Sequence, residues 1–277
     1  MANLMMLALA LAVGLTAHAA TAQTSEPPDS GPRPQGARLD LTGPFHTRTP
    51  WRLDVSEGPP TKDYGDNDAP GALTLCLHRG PDGPCVSAPV TVPLRATPPD
   101  DPIAWEPHYL LTARPVWPRG PKAAPLLLIV TGSLNSGDGD QLVTTQLVRY
   151  DAARDGFRRV YARTTGHNMN EEVRFVRAGP LRGAVISAEP QSRRPFGYWI
   201  VVSQPTPGGD YRQVLRFGSA TRYNDGNPLA VIDSEMPGIE RRLGLWKPGA
   251  PLPAPRLMGD GKPCLSPKLK HGELWCG

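Results

Sequence analysis

Leu126-Leu127-Leu128-Ile129-Val130 is the stretch that decides the fold, because it is apolar at every position. A strand covered on one face alternates apolar and polar residues, whereas a strand covered on both faces is continuously apolar. Tyr198-Trp199-Ile200-Val201-Val202 repeats this pattern later in the chain. We expect both runs to form central strands with a packed layer on each side.

Around these runs, the chain is rich in residues that interrupt helices. It has 277 residues, of which 34 are Pro and 29 are Gly. A proline inside a helix costs about 3 kcal/mol, which argues against a mainly helical protein. A hydrophobic share of 39% against 20% charged residues is too apolar for a disordered chain. The sequence therefore predicts an all-β protein of antiparallel sheets, either propeller-like or a sandwich.

Composition divides the chain into five segments. One short helix is expected near residues 235–246, with Asp233 or Ser234 as its N-cap, and a Pro-rich tail follows it. The predicted segments are a signal peptide (1–22), a disordered leader (23–37), a small β domain with a hairpin disulfide (38–100), a main antiparallel β domain (105–246) and a tail closed by a second disulfide (247–277).

The N-terminus has the pattern of an export signal. Residues 1–22 carry no Lys, Arg, Asp or Glu, and their apolar run from Leu4 to Leu15 is too short to span a bilayer. The small residues of Ala20-Thr21-Ala22 are typical of a cleavage site. We expect a soluble mature protein without a transmembrane segment, located in the periplasm or secreted.

Four cysteines agree with an oxidising compartment, in which an even number suggests disulfides. Pro81-Asp82-Gly83 has turn chemistry between two strand-like runs, so Cys76 and Cys85 are expected to lie opposite each other in a hairpin. The most local pairing joins Cys76 to Cys85 and Cys264 to Cys276. Zinc binding is the alternative, but the sequence lacks the Cys-x-x-Cys spacing of zinc sites.

The balance of charge limits the classes of partner. The net charge is only +4, and the arginines are scattered along the chain. A nucleic-acid surface needs a basic stripe with interleaved aromatic residues, so we expect no nucleic-acid partner. The sequence also has no phosphate-binding or dinucleotide motif, and we expect no cofactor.

Two loops carry side chains suited to acid–base chemistry. His167 and Glu171 lie in a polar cluster between two predicted strands, and Asp225, Asp233 and Glu235 follow a later turn. A glycosidase requires two carboxyl groups on either side of the bond that it cleaves. These five residues are the candidate catalytic groups of a hydrolase acting on a glycan or an ester. Turns and helix caps use the same residue types, so a structural role is the alternative.

A third loop has alternating oxygen-bearing side chains. Asp138 and Asp140 end the Gly-rich run Asn-Ser-Gly-Asp-Gly-Asp over residues 135–140, a pattern that can surround Ca²⁺. Three aspartates over residues 63–68 form a similar but weaker pattern. Neither loop has the complete EF-hand pattern. A calcium-stabilised structural domain is one interpretation of these loops.

Aromatic and arginine side chains in loops suggest a binding surface. The candidates are Trp105, Trp117, Arg222 and Tyr223. The chain has no Gly-x-Ser-x-Gly nucleophile motif. Our leading interpretation is therefore an exported, non-catalytic binding or interaction module whose partner is a glycan or a protein. The hydrolase and the calcium-stabilised domain are the alternatives.

Overall fold

Four-stranded antiparallel sheets form the body of the protein. A computed structural model describes residues 37–87, 89–90, 106–120, 123–135, 140–192 and 196–277. Three such sheets follow one another along these ranges, accompanied by two helices and two two-stranded ladders. The all-β prediction is confirmed. The predicted signal peptide, and the predicted leader except Ala37, lie outside the described residues.

The first sheet comes from the N-terminal part of the described chain. Its region contains β1 (Arg38–Asp40), helix α1 (Thr42–Phe45), β2 (Trp51–Glu57), β3 (Thr61–Lys62), β4 (Asp68–Ala69), β5 (Leu73–Arg79) and β6 (Cys85–Val86). The order in the sheet is β1-β2-β5-β6, while β3 and β4 pair separately in the loop that joins β2 to β5.

Both predicted disulfides are present. Cys76 bonds to Cys85 and Cys264 bonds to Cys276. The hairpin bond differs from the expectation in one respect, because Cys85 lies opposite His78 in the ladder and not opposite Cys76. Cys85 therefore pairs two residues further along β5 than a directly opposed pair requires. The bond therefore joins diagonal neighbours, whose Cα atoms are 5.0 Å apart, within the usual range for a disulfide.

The second sheet is a meander of four long strands. Its strands are β7 (Tyr109–Val116), β8 (Leu126–Asn135), β9 (Gln141–Asp151) and β10 (Gly156–Thr165). Each strand pairs with the next, so β8 and β9 are interior strands. The apolar run over residues 126–130 thus lies in an interior strand, as its composition predicts.

The second sheet is covered on both faces. Leu127 packs in one apolar cluster with Leu53 and Leu77 of the first sheet. Its neighbour Leu128 points to the other face and packs in a second cluster with Val185 of the third sheet. Because successive side chains of a strand point to opposite faces, an uninterrupted apolar run is what this position needs. The first of these clusters joins residues of the predicted small β domain (38–100) to residues of the predicted main β domain (105–246). The division of the chain into these two domains stays a prediction.

The third sheet is a second four-stranded meander. Its strands are β11 (Glu172–Phe175), β12 (Val185–Pro190), β13 (Gly197–Pro205) and β14 (Tyr211–Arg222). In β13, Tyr198, Ile200 and Val202 are fully buried, but Trp199 on the other face is 38% exposed. The cluster shared with the second sheet takes its third-sheet residues mainly from β11 and β12, so it does not cover Trp199. Instead, the guanidinium of Arg216 lies 4.4 Å from the centre of the Trp199 ring.

The longer helix, α2 (Val231–Arg242), begins and ends four residues before the predicted span. The prediction of Asp233 or Ser234 as its N-cap is wrong, because both residues lie inside the helix. Ala230 occupies the N-cap position and makes no side-chain capping bond. The N–H of Ile232 instead donates to the Glu172 carboxylate at 2.8 Å. A residue of β11 thus satisfies a donor at the helix start, which no local pattern could indicate.

Helix α2 is buried around its whole circumference over its first ten residues. The third sheet covers one side, through a cluster that joins Ile200 and Val202 to Ile232 and Ile239. The C-terminal hairpin, β15 (Pro267–Lys270) and β16 (Glu273–Cys276), also packs on the helix. Neither helix of the described ranges is long and apolar enough to cross a membrane.

Asp155 ties the β9–β10 turn to the first sheet. Its carboxylate accepts hydrogen bonds from the hydroxyls of Tyr150 and Thr49 and from the indole N–H of Trp51. Arg79 completes the group with an ion pair at 2.8 Å. These partners, led by the Tyr150 hydroxyl, hold the pKa of Asp155 well below its usual range. The buried carboxylate is therefore ionised and fully engaged.

Replacing Asp155 with Ala leaves the Trp51 indole and the Arg79 guanidinium without their acceptor. Hydrogen bonds to a charged group contribute about 1.5–3 kcal/mol each. We expect the free energy of unfolding, measured in urea at pH 7, to fall by about 3 kcal/mol. The control Asp210→Ala removes an exposed ion pair with Arg158 and should cost about 0–1 kcal/mol. Equal losses in the two variants would contradict the role of Asp155.

Candidate functional site

The polar residues singled out in three different loops meet at one end of the second and third sheets. In antiparallel sheets the start of one strand lies beside the end of the next. The start of β9, the end of β10 and the start of β11 therefore share one edge with the start of β13 and the end of β14. We call this edge the polar loop end, defined by Asp140, the turn over residues 166–171, Tyr198 and residues 222–228.

Asp140 anchors the turn over residues 166–171. Its Oδ1 atom accepts the backbone N–H groups of His167 at 2.8 Å and Asn168 at 3.0 Å. The same atom also accepts the N–H of Gln141 at 3.0 Å. One carboxylate oxygen therefore joins the start of β9 to the turn that follows β10.

Two tyrosines fix the same turn from the third sheet. The Tyr198 hydroxyl donates to the carbonyl oxygen of Met169 at 2.8 Å. The Tyr223 hydroxyl donates to the carbonyl oxygen of Asn168 at 3.3 Å. Burial raises the pKa of the Tyr198 phenol, and the nearby carboxylate of Asp225 raises it further. The phenol therefore stays protonated and keeps its donor role.

The side chains of the anchored turn face solvent. His167, Asn168 and Asn170 are exposed, as are Arg222 and Asn224 on the neighbouring segment. Asn170 and Asn224 adopt positive φ angles of 57° and 59°, a conformation that asparagine tolerates better than most residues. The backbone is held by hydrogen bonds while imidazole, amide and guanidinium groups point outward.

Glu171 differs from the rest of its turn because it is buried. Only 8% of the residue is exposed, and its Oε2 atom has no hydrogen-bond partner among the described residues. Burial raises the pKa of the Glu171 carboxyl, and the carboxylate of Asp140 raises it further. Its carboxylate lies beside Gly166, while His167 is exposed.

The three other candidate catalytic carboxyls are engaged in the fold. Asp225 accepts the backbone N–H groups of Arg222 and Asn227, each at 2.9 Å, and so closes a turn. Glu235 lies inside helix α2 and accepts the N–H and the hydroxyl of Thr221 through one oxygen. Asp233 also lies inside the helix and is fully buried. The carboxylates of Asp225 and Glu235 therefore accept hydrogen bonds from groups of the protein itself.

Asp233 belongs to a buried ionic cluster that the sequence did not indicate. Arg174 of β11 lies 2.6 Å from Asp233 and 2.8 Å from Glu172. One guanidinium thus forms ion pairs with two carboxylates, and neither oxygen of Asp233 accepts a hydrogen bond among the described residues. Burial raises the pKa of Asp233 to about 7, although Arg174 opposes the effect. The alternation Glu172-x-Arg174 places both charges on one face of a strand, which is the only local sign of this cluster.

Two of the aromatic candidates, Trp117 and Tyr223, lie apart. Trp117 follows the end of β7 and lies at the opposite end of the second sheet from Tyr223, with 37% of the residue exposed. Trp105 and Asp138 lie outside the described residues. Asp63 accepts N–H groups of its own loop, from Gly65 and Asn67. Across the described ranges, no group of three or more His, Cys, Asp or Glu side chains is placed to hold a metal ion.

Asp233 should make stability depend on pH. Its pKa is about 7 in the fold and 3.8 ordinarily, so the unfolded chain releases this proton at lower pH than the folded chain. The contribution of Asp233 therefore destabilises the fold as pH rises from about 4 to about 7. Asp233→Asn removes this titration. We expect its free energy of unfolding, relative to wild type, to rise by about 2–4 kcal/mol between pH 4 and pH 7.5.

The measurement is urea denaturation of wild type, Asp233→Asn and the exposed control Asp210→Asn at several pH values. The control should show no such trend. A constant or falling difference between Asp233→Asn and wild type would contradict a raised pKa at Asp233.

No protein-family model matches this chain, and neither a curated protein nor a solved structure matches it.

Proposed function

We propose that the protein is a non-catalytic binding module that uses the polar loop end to bind a glycan outside the cytoplasm. The observation that supports this most is the anchored turn over residues 166–171. Asp140, Tyr198 and Tyr223 hold its backbone from three different strand ends. A surface that is already ordered loses less entropy when it binds, which favours recognition by polar groups.

The chemistry of this surface suits a hydroxyl-rich ligand. His167, Asn168 and Asn170 offer an imidazole and two amides, and Arg222 adds a guanidinium. The imidazole and the amides donate and accept hydrogen bonds, while the guanidinium only donates them. Tyr223 is half-buried beside them and adds an aromatic ring. Glycans present hydroxyl groups around a weakly apolar ring, and this combination complements them.

A glycan is favoured over a protein partner because the polar loop end lacks a large apolar anchor. Protein interfaces usually depend on a central cluster of buried aromatic or aliphatic side chains. The exposed large apolar side chains of the described chain lie elsewhere, and none belongs to the turn over residues 166–171 or to residues 222–228. A protein partner is therefore an outcome of the test and not part of the proposal.

The hydrolase alternative has less support from the geometry. It requires two carboxyls on either side of one substrate bond. Asp233 is fully buried beside Arg174, and Glu235 is bonded to Thr221. Glu171 is buried next to Asp140. The groups that face solvent at this end are neutral or basic, and they suit binding better than acid–base catalysis.

The two disulfides support a location outside the cytoplasm. Cys76–Cys85 and Cys264–Cys276 use every cysteine of the chain. Disulfides of this kind persist in oxidising compartments such as the periplasm or the extracellular space. Export to one of these compartments is therefore part of the proposal.

The binding test compares the two ends of the second sheet. The full chain, with its disulfides intact, is applied to an array of neutral and acidic oligosaccharides, and the Kd of each hit is measured by calorimetry. His167→Ala combined with Asn168→Ala keeps the backbone bonds of the turn but removes its outward groups. We expect this double variant to bind at least about 10-fold more weakly, a loss of about 1.4 kcal/mol. Trp117→Ala, at the opposite end, should bind as wild type does.

Three results would contradict the proposed function. One is a Kd that the double variant leaves unchanged, and another is loss of binding in Trp117→Ala. The third is cleavage of a bound oligosaccharide, detected by mass spectrometry, which would favour the hydrolase.

A further inference from the structure

Strand β14 forms one edge of the third sheet, and most of that edge is unpaired. Within the described part of the chain, β13 is the strand that pairs with β14, and residues 211–218 make backbone hydrogen bonds only with β13. The edge is closed at its far end, where Glu235 accepts the N–H groups of Ala220 and Thr221. Alternate residues over 211–218 therefore direct their N–H and carbonyl groups away from the sheet.

One stretch of this edge has the regular geometry that strand pairing needs. Between two register irregularities, the ladder runs without a shift from the pair Trp199–Gly218 to the pair Val202–Leu215. Bulges usually protect a sheet edge from pairing with another chain. Residues 215–218 lie between the irregularities and keep the regular spacing of a strand. We call this stretch the open edge.

A guanidinium lies on each face of the sheet at the open edge. Arg216 lies opposite Val201, on the face that carries Trp199, and its guanidinium is 4.4 Å from the centre of the Trp199 ring. Phe217 lies on the face covered by helix α2, and the guanidinium of Arg242 is 4.0 Å from the centre of its ring. Both arginines are exposed. Neither forms an ion pair with a described residue.

Each aromatic ring holds its guanidinium in place and leaves donors for an anion. A guanidinium carries five N–H donors in a planar fork that matches the two oxygens of a carboxylate. The contact with the ring is attractive and needs no acidic group. Arg242 also donates to the carbonyl oxygen of Gly238 at 3.0 Å through one nitrogen. The open edge is therefore flanked by two ordered positive groups with donors to spare.

We propose that the open edge binds an extended, acidic segment of a partner protein as an added strand. The backbone of the segment bonds to the outward N–H and carbonyl groups of β14, which is a general mode of peptide recognition. Successive side chains of a strand point to opposite faces of the sheet. Two adjacent acidic residues at the centre of the segment therefore meet Arg216 on one face and Arg242 on the other.

Charge complementarity favours this partner over a second copy of the chain. Two copies paired through β14 would bring their own arginines together, and like charges across a strand pair are destabilising. A sulfated oligosaccharide would pair with the arginines but has no peptide backbone to complete the ladder. The open edge is not part of the polar loop end, so this proposal does not rest on glycan binding.

The test uses a set of eight-residue peptides with Glu-Glu at the centre and Val, Thr or Ser at the other positions. Binding of each labelled peptide to the full chain, with its disulfides intact, is measured by fluorescence anisotropy. We expect Kd values below about 100 µM for the best peptides. Versions with Gln-Gln at the centre should bind at least about 10-fold more weakly, because they lack the carboxylates.

Hydrogen exchange tests whether the peptide joins the sheet. Backbone amides that enter a ladder exchange more slowly, so a bound Glu-Glu peptide should slow exchange over residues 211–218. Strand β10, an edge strand of the second sheet, is the internal control and should exchange as before.

Three variants test the two positive groups. Arg216→Ala and Arg242→Ala should each weaken binding of the Glu-Glu peptides at least about 3-fold, and their combination at least about 10-fold. Both residues are exposed, so the Tm should stay within a few degrees of wild type. Arg38→Ala removes an exposed arginine of the first sheet and should bind as wild type does.

The proposal is overturned if no peptide of the set binds at about 100 µM, or if the Gln-Gln versions bind as tightly as the Glu-Glu peptides. It is also overturned if a bound peptide leaves exchange over residues 211–218 unchanged. Slowed exchange there at high protein concentration without peptide would favour a second copy instead. A sulfated oligosaccharide that binds through Arg216 and Arg242 when no peptide does would favour a polyanionic glycan.

Discussion

Burial of the second sheet on both faces is the constraint on which the rest of the structure depends. Leu127 and Leu128 are neighbours in β8, yet they belong to different apolar clusters shared with different sheets. A register slip of one residue would exchange the two faces. Because each fully buried aliphatic side chain contributes about 1.5–3 kcal/mol, both clusters oppose such a slip. The register of this sheet thereby fixes where the loops at each end lie.

The sequence predicted the parts of the fold that follow from local pattern. Continuous apolar composition identified the interior strand over residues 126–130, and Pro-Asp-Gly turn chemistry identified the hairpin closed by Cys76–Cys85. The predicted position of helix α2 was wrong. Glu172, in a strand far away in sequence, accepts the N–H of Ile232 near the helix start, and no local pattern indicates this partner. Trp199 is exposed because the apolar cluster shared with the second sheet does not cover it. The composition of β13 does not indicate how far that cluster extends.

The candidate site was predictable only in pieces. Asp140, His167 and Tyr223 each stood out in a separate loop, but their proximity is set by the stacking and register of two sheets. Tyr198 was assigned to the core, and its hydroxyl bond to the turn depends on that same stacking. Asp233 resembled a helix cap because its type and position suit one, whereas its actual partner is an arginine of β11. Such pairings are tertiary, so a local pattern does not contain them.

The most direct test of this account compares Leu127→Ala with Leu128→Ala by urea denaturation. The two substitutions delete the same atoms from adjacent residues, which face the first and the third sheet respectively. The account predicts that each lowers the free energy of unfolding by about 2–5 kcal/mol, as expected for a buried leucine. A loss below about 0.5 kcal/mol in either variant, the size of a surface substitution, would contradict a sheet that is covered on both faces.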